Sequence, residues 1–197
     1  MKELKYSSGL NGASFLMFEL KQVINLKIQG FSPKEIRQKV VEENIFQFEN
    51  KGRINRSLPS IMRRADAIDM DLAIMMNEAT IETSKIINLY AIMKTDLLFF
   101  EFMEEVISEK FRSNNYFLEK KDVNLFFEEK AEQNETVASW SNSNLEKLKR
   151  SYMQVLYESG ILQDRKGTQI NRIYIDDNIK KILIYIGDHR YVSAMGE

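Results

Sequence analysis

The sequence predicts a mainly α-helical protein with two parts. Residues 1–112 are predicted to form a helical bundle, and residues 113–197 a winged-helix-like part with a small β-hairpin. Three observations favour this fold class: apolar residues recur at helical spacing, capping motifs punctuate them, and the 197 residues include only 8 Gly and 2 Pro. With 44% hydrophobic residues, the chain is long enough to bury a substantial core.

The N-terminal part begins with two predicted helices. Apolar residues at helical spacing between Leu16 and Ile24 indicate the first, and Gly30 follows as its C-terminal cap. Ser32-Pro33-Lys34-Glu35 is a capping box with proline at the first helical position, so the second helix should start at Ser32. Residues 48–52 are predicted to be a loop.

Residues 53–68 form the most informative predicted helix. At 100° per residue, Ile54, Leu58, Ile61, Ala65 and Ile68 share one side. Four arginines lie on the opposite side, within an arc of about 100°: Arg53, Arg56, Arg63 and Arg64. Pro59 complicates this pattern, because proline inside a helix kinks it or starts a new one. In that case the two arginine pairs need not share a face.

A long apolar helical region with at most one break is predicted from Thr80 to about Phe111, after a short helix and turn at residues 68–79. Its longest unbroken apolar run is five residues, far short of the roughly 20 that span a bilayer. The N-terminus lacks the pattern of a signal peptide. We therefore expect a cytoplasmic protein. The short polar stretch Ser113-Asn114-Asn115 is the predicted domain boundary.

The C-terminal third has a different pattern of predicted elements, with two helices followed by a hairpin. Asp122 is predicted to cap one helix, and Ser143-Asn144-Leu145-Glu146 is a second capping box whose helix should end at Gly160. Ile161-Leu162, a turn at residues 165–168 and residues 170–175 then predict a β-hairpin. The order helix, helix, hairpin is typical of a winged helix-turn-helix. A last helix is predicted over residues 177–186.

Few residues suit catalysis or metal binding. The chain has no Cys and a single histidine, His189, so thiolate sites and multi-histidine metal sites are excluded. There is no Gly-x-Ser-x-Gly elbow and no phosphate-binding loop. We therefore expect no enzymatic activity, no cofactor and no metal.

Charge is distributed unevenly along the chain. The balance is +6 over residues 1–65, −9 over residues 66–140 and +2 over residues 141–197, for a total of −1. Basic regions on a helical scaffold can bind DNA phosphates, although such a set of charges is, on periodicity alone, more often a solvated helix face than a binding face. The candidate DNA-binding residues are the four arginines of residues 53–64, three cations on the second capped helix and three at or beside the hairpin: Arg53, Arg56, Arg63, Arg64, Lys147, Lys149, Arg150, Arg165, Lys166 and Arg172.

Several co-linear stretches over residues 6–162 resemble the BrxA family, the small component of BREX bacteriophage-exclusion systems. They are Tyr6-Ser7-Ser8-Gly9-Leu10, Ser14-Phe15, Gly30-Phe31-Ser32, Val40-Val41-Glu42-Glu43-Asn44, Arg63-Arg64, Phe127-Glu128-Glu129-Lys130, Trp140-Ser141, Lys147-Leu148 and Glu158-Ser159-Gly160-Ile161-Leu162. The resemblance implies a nearly all-α fold with a part similar to the NusB antitermination factor. It also implies a non-enzymatic role, DNA binding and BREX partners: a DNA methyltransferase, a phosphatase-like protein and an ATPase.

Two functional hypotheses follow. The first is a double-stranded-DNA-binding accessory protein of phage defence, in which the arginines neutralise phosphates and residues 142–159 lie in or near the major groove. The second is a protein–protein adaptor without DNA contact, in which the carboxylates between Glu101 and Glu135 meet a basic partner.

Overall fold

A computed structural model describes residues 4–197 and is mainly helical. A short 3-10 turn, Gly9–Asn11, precedes the α-helices, and a π-helical turn, Met103–Ser108, separates α6 from α7. The helices are α1 Met17–Ile28, α2 Pro33–Glu42, α3 Lys51–Ala67, α4 Met70–Glu78, α5 Ile81–Thr95, α6 Leu97–Phe102, α7 Glu109–Arg112, α8 Lys120–Gln133, α9 Glu135–Ala138, α10 Asn142–Glu158, α11 Asp177–Tyr185 and α12 His189–Ala194. The prediction of a mainly α-helical fold is confirmed.

The first capping box forms as predicted. The Ser32 hydroxyl accepts from the backbone N–H of Glu35, and the Glu35 carboxylate accepts from the backbone N–H of Ser32 at 2.8 Å. Both bonds satisfy N–H groups that a helix start leaves free. Gly30, at φ +88°, follows the last turn of α1 in the left-handed conformation that glycine adopts readily.

Helix α3 continues through Pro59 without a break. Proline has no N–H to donate to the carbonyl of Asn55, and both residues are exposed, so solvent can satisfy that carbonyl. The Ser57 hydroxyl adds a bond of 2.9 Å to the carbonyl of Arg53. Pro59 therefore starts no new helix, and the apolar residues predicted to share one side of residues 53–68 are all buried.

The long apolar region after Thr80 breaks at Asp96. The backbone of Asp96 leaves the helical conformation, and its carboxylate accepts from the N–H of Phe99 at 3.0 Å to cap α6. Residues Ile86–Met93 of α5 are buried on every side, because α5 packs against α1, α3, α4 and α12. A helix enclosed in this way has no polar face, which explains its uniform apolar sequence.

Two predicted caps in the C-terminal part are displaced. Helix α10 starts at Asn142 with Ser141 as its cap, two residues before the predicted box at Ser143. Helix α8 starts after Glu119, whose N–H donates to the Asp122 carboxylate at 2.7 Å, so Asp122 is the third helical residue and not the cap. Both shifts lie within the few residues by which sequence patterns locate helix ends.

The predicted β-hairpin is reduced to isolated bridges. Leu162 pairs antiparallel with Ile170, and Phe117 pairs antiparallel with Gln169. The expected strand to Ile175 is wrong, since residues 171–176 have no regular secondary structure before α11 begins. The winged-helix and NusB-like details of the fold stay predictions.

Several side-chain contacts cross the predicted boundary at residue 113. The Asn11 amide donates to the Asn144 side chain at 2.6 Å, and Lys130 bonds to Glu101 at 2.7 Å and Glu105 at 2.6 Å. At the other end, Asp188 accepts from the Tyr90 hydroxyl at 2.6 Å. The division into two domains stays a prediction. Within residues 4–197, no helix is both long and apolar enough to cross a membrane.

Candidate nucleic-acid interface

A cleft of about 1150 Å³ lies between the start of α1 and the outer side of α10. Residues 14–19 form one wall, and α10 with residues 160–165 forms the other. The side chain of Arg53 enters from α3, and that of Lys85 from α5. Elements from both ends of the chain therefore build one concave surface, named here the basic cleft.

Four predicted DNA-binding residues meet in the basic cleft: Arg53, Lys147, Arg150 and Arg165. Among residues 4–197, none of the four is paired with a carboxylate. Lys85 also lines the cleft, but it pairs with Glu82 at 3.0 Å. Five cations and two carboxylates leave the lining with three positive charges, which favours an anionic ligand.

The wall at residues 13–16 is held from inside the protein by Arg64. Its guanidinium donates to the carbonyl of Phe15 at 3.0 Å and to the carbonyl of Ala13. The Asn88 amide donates to the same Phe15 carbonyl at 2.8 Å. Leu16 then turns the chain into α1 at φ 47°, a left-handed conformation that is strained for leucine. These buried bonds stabilise the turn that shapes the cleft.

The buried position of Arg64 does not support its predicted contact with DNA. Its side chain is only 2% exposed, because α3 is enclosed by α1, α2 and α5 and its buried arc extends beyond the predicted apolar side. Burial lowers the pKa of Arg64 to about 10, which still leaves the guanidinium protonated at pH 7. Arg64 therefore acts on the cleft indirectly, through the backbone that it holds.

Asp96 is the second charged group buried near Arg64, and it is 6% exposed. Burial raises its pKa to about 6, although the Phe99 N–H and the positive charge of Arg64 favour the carboxylate. Arg64 on α3 and Asp96 before α6 thus place opposite charges in the core, and each compensates the other in part.

The remaining α3 arginines lie within an arc of about 80° on the outer side of the helix, but only Arg53 lines the cleft. Arg53 lies at the cleft, with its guanidinium 4.1 Å from the ring centroid of Phe48. Arg56 and Arg63 are exposed but lie outside the cleft lining, and Arg63 donates to the Ser60 hydroxyl at 3.0 Å. The predicted arginine face is therefore divided among the core, the cleft and an open surface.

A second groove of about 530 Å³ adjoins the basic cleft, between α8, α10 and the turn at residues 164–168. Arg150 and Arg165 line both concavities. Lys149 and Lys166 line this groove but not the basic cleft. Lys149 bonds to Glu146 and to Asn124, at 2.9 Å each. The groove extends the positive surface beyond the basic cleft, with Lys149 partly neutralised.

Arg172 lies elsewhere and has an internal role. Its guanidinium donates to the carbonyl of Phe111 at 2.6 Å and to the carbonyl of Gly196, and it lies 5.3 Å from the Phe111 ring centroid. These contacts fasten the C-terminus to α7, because one bond ends on a carbonyl of α7 and the other on the carbonyl of Gly196, just after α12. This placement does not support the predicted DNA contact of Arg172.

Glu19 is the most buried charged residue of the basic cleft, at 8% exposed. Burial raises its pKa above the ordinary value, while its own backbone N–H and the nearby Arg53 oppose that shift. The other carboxylate, Glu158, accepts from the Gln154 amide at 2.5 Å.

Two aromatic residues also line the cleft, Phe18 and Tyr157, and neither was among the predicted site residues. Both were detectable as aromatic residues out of phase with their helices. At 100° per residue, Phe18 lies about 160° from the buried Leu20, and Tyr157 about 140° from the buried Tyr152. Their 47% and 41% exposure follows from these positions.

A family model described as BrxA matches residues 4–187 of this chain. The chain belongs to the BrxA family. The resemblance of residues 6–162 to that family is therefore confirmed, although none of the individual stretches is diagnostic alone.

Two curated BrxA-family relatives cover nearly the whole chain. One from Bacillus cereus (strain H3081.97), named BREX protein BrxA, is 38% identical over 99% of this chain and 98% of the relative. Another of the same name, from Paramagnetospirillum magneticum (strain ATCC 700264 / AMB-1), is 21% identical over 93% of this chain and 92% of the relative.

A solved crystal structure, described as an uncharacterized protein from Magnetospirillum magneticum, has a similar fold. The TM-score is 0.85 at 19% identity, and the match covers 97% of this chain and 98% of that chain. At this identity the likeness concerns the arrangement of helices alone.

Proposed function

We propose that this BrxA-family protein is a non-enzymatic DNA-binding component of a BREX phage-defence system. The observation that carries the proposal is the convergence in one cleft of four cations from α3, α10 and the 160–165 segment, none of which pairs with a carboxylate within residues 4–197. Lys and Arg neutralise backbone phosphates and release counterions, which makes such a surface suited to DNA. The membership of the BrxA family and the names of its relatives support the assignment to phage defence.

The order of elements in the C-terminal part supports the same proposal. A bridge at Phe117, the helices α8 and α10 and a paired segment at Leu162 and Ile170 follow one another as in a winged helix. In that interpretation α10 is the recognition helix, with Lys147 and Arg150 on its open side. The turn bearing Arg165 and Lys166 corresponds to the wing and contacts the phosphates beside the groove.

The test compares cations inside and outside the cleft. Binding to a labelled duplex is measured across a salt series for the native protein, for Arg53→Ala with Arg150→Ala, and for Arg56→Ala with Arg63→Ala as a matched control. Each phosphate contact contributes about −0.9 to the slope of log affinity against log salt, so the cleft variant should be less steep by about 2. The control should retain the native slope.

Equal losses in both double variants would contradict a DNA site in the cleft. Absence of salt-sensitive binding by the native protein, even at low salt, would overturn the proposal and favour the adaptor hypothesis. A groove lined by Glu105, Glu109 and Glu129 beside the exposed Leu125 is the surface that would then suit a basic BREX partner, such as the methyltransferase, the phosphatase-like protein or the ATPase. Glu105 is partly used there, because it binds Lys130.

A further inference from the structure

We propose that the basic cleft receives an unpaired DNA nucleotide whose base stacks on Phe18 and Tyr157. The inference rests on the proposed DNA binding and specifies the form of DNA that the cleft takes. Four features support it: two exposed aromatic rings, cations beside them, free amide side chains and the size of the cleft.

The two rings present faces that nothing else in the described part of the chain uses. Phe18 and Tyr157 are 47% and 41% exposed although both lie in a concave surface. Neither ring forms an aromatic pair or a cation–π contact among residues 4–197. Exposed aromatic rings within a basic groove are the stacking platforms on which unpaired bases lie.

The cations and rings line the same cleft, and both helices that carry the rings contribute to it. Phe18 is next to Glu19 at the start of α1, and Tyr157 is seven residues after Arg150 on α10, two helical turns away on the same side. A nucleotide needs both kinds of contact, because its base is an apolar disc and its phosphate an anion.

Amide side chains supply hydrogen-bonding groups for the edge of a base. Gln163 and Asn171 line the cleft, are exposed, and use no side-chain hydrogen bond within residues 4–197. Amides offer both donors and acceptors, so they match the Watson–Crick edge that pairing otherwise conceals. The volume of about 1150 Å³ exceeds the ~300–1,000 Å³ of typical small-molecule pockets, which leaves room for a nucleotide.

Paired bases cannot use these faces without leaving the duplex. In a duplex each base is already stacked between neighbours, so stacking on Phe18 or Tyr157 requires a single strand or a flipped nucleotide. The cleft should therefore prefer DNA with unpaired bases over a continuous duplex of the same sequence and length.

The experiment measures affinity and base stacking together. A single-stranded oligonucleotide carrying 2-aminopurine and its matched duplex are titrated with the native protein, with Phe18→Leu/Tyr157→Leu, and with Tyr185→Leu. Tyr185 is 90% exposed on α11 and outside the cleft, which makes it the matched aromatic control. A fourth variant, Phe18→Tyr/Tyr157→Phe, retains both rings.

We expect the leucine variant to bind the single strand about tenfold more weakly, with its duplex affinity unchanged. The native protein, the control and the ring-retaining variant should change the 2-aminopurine fluorescence on binding, and the leucine variant should not. Thermal unfolding verifies that the leucine variant is folded; should it be unfolded, the single variants Phe18→Leu and Tyr157→Leu replace it.

Two outcomes overturn the inference separately from the proposed function. Salt-sensitive single-strand binding with equal affinities and fluorescence in all variants would remove the stacking role and leave DNA binding intact. Native duplex binding that is tighter than single-strand binding would equally overturn the preference. Loss of all DNA binding by the native protein would instead contradict the proposed function itself.

Discussion

Helices α3 and α10 are each 17 residues long, and both were predicted to present cations to DNA, yet their cationic side chains lie in different environments. Helix α3 packs against α1, α2 and α5, so its arginines are divided among the core, the cleft and open solvent. Helix α10 buries a narrower stripe, at Leu148, Tyr152, Val155 and Leu156, and keeps Lys147 and Arg150 on one accessible side. The number of helices packed around a cation-bearing helix decides which of its charges can meet a ligand.

The largest effect should come from the buried side of α3. Arg64→Met removes two charge-assisted hydrogen bonds and leaves the Ala13 carbonyl without its donor, so we expect a loss of about 4 kcal/mol in the free energy of unfolding. Urea denaturation measures this loss. The exposed neighbour provides the control, because Arg63→Ala should change stability by less than about 0.5 kcal/mol. Equal effects of the two changes would erase the distinction between the core and the surface of α3.

The next effect is a pH dependence caused by Asp96. Its pKa is about 6 in the folded protein against 3.8 for the unfolded chain, so the folded state holds the proton more tightly. Stability due to this group is complete below pH 3.8 and is lost as pH rises through about 6, by roughly 3 kcal/mol.

Asp96→Asn keeps a capping side chain for α6 and removes the titration. Urea denaturation at pH 4 and pH 7 should therefore show a smaller decline for Asp96→Asn than for the native protein. The raised pKa of Glu19 acts in the same direction in both proteins and cancels in the comparison. Identical declines would mean that the buried charge beside Arg64 is fully compensated.

The smallest effect concerns the cleft itself. Glu19→Gln removes a buried negative charge from the surface that we propose binds phosphates, so duplex affinity at low salt should rise about fivefold. The control is Glu78→Gln on α4, an exposed carboxylate away from the cleft. Fluorescence anisotropy with labelled DNA measures both. An unchanged duplex affinity for Glu19→Gln would mean that the bound phosphates lie too far from Glu19 for its charge to affect them.

Local features of the fold were largely predictable. The capping box at Ser32 and the buried side of α3 depend on residues a few positions apart, and both formed as expected. The predicted length of the hairpin was wrong, because the N–H of Ile170 donates to the carbonyl of Tyr116 and that of Leu162 to the carbonyl of Leu156, contacts that the local pattern does not contain. That α3 continues through Pro59 was likewise not predictable locally, because it depends on the exposure of Asn55, whose carbonyl solvent can satisfy.

The candidate site was predictable as a set of residues but not as an arrangement. Arg53, Lys147, Arg150 and Arg165 were each selected from charge and spacing, but only the tertiary fold brings them to one cleft. Arg64 lies three helical turns after Arg53, close to the same side of the helix, so the elements packed around each arginine decide which is a core residue and which a cleft residue. Arg172 is used by the C-terminus, which lies 24 residues further along the chain.

The turn at Leu16 has a consequence for the thermodynamics of association. Its strained backbone is fixed before any ligand arrives, since Arg64 and Asn88 hold the Phe15 carbonyl from the core. A preorganised wall gives up little conformational entropy on binding, because its ordering has already occurred during folding. Arg64 thereby links folding to recognition. Although it is buried away from any ligand in the cleft, it lowers the conformational entropy that the cleft wall would lose on binding.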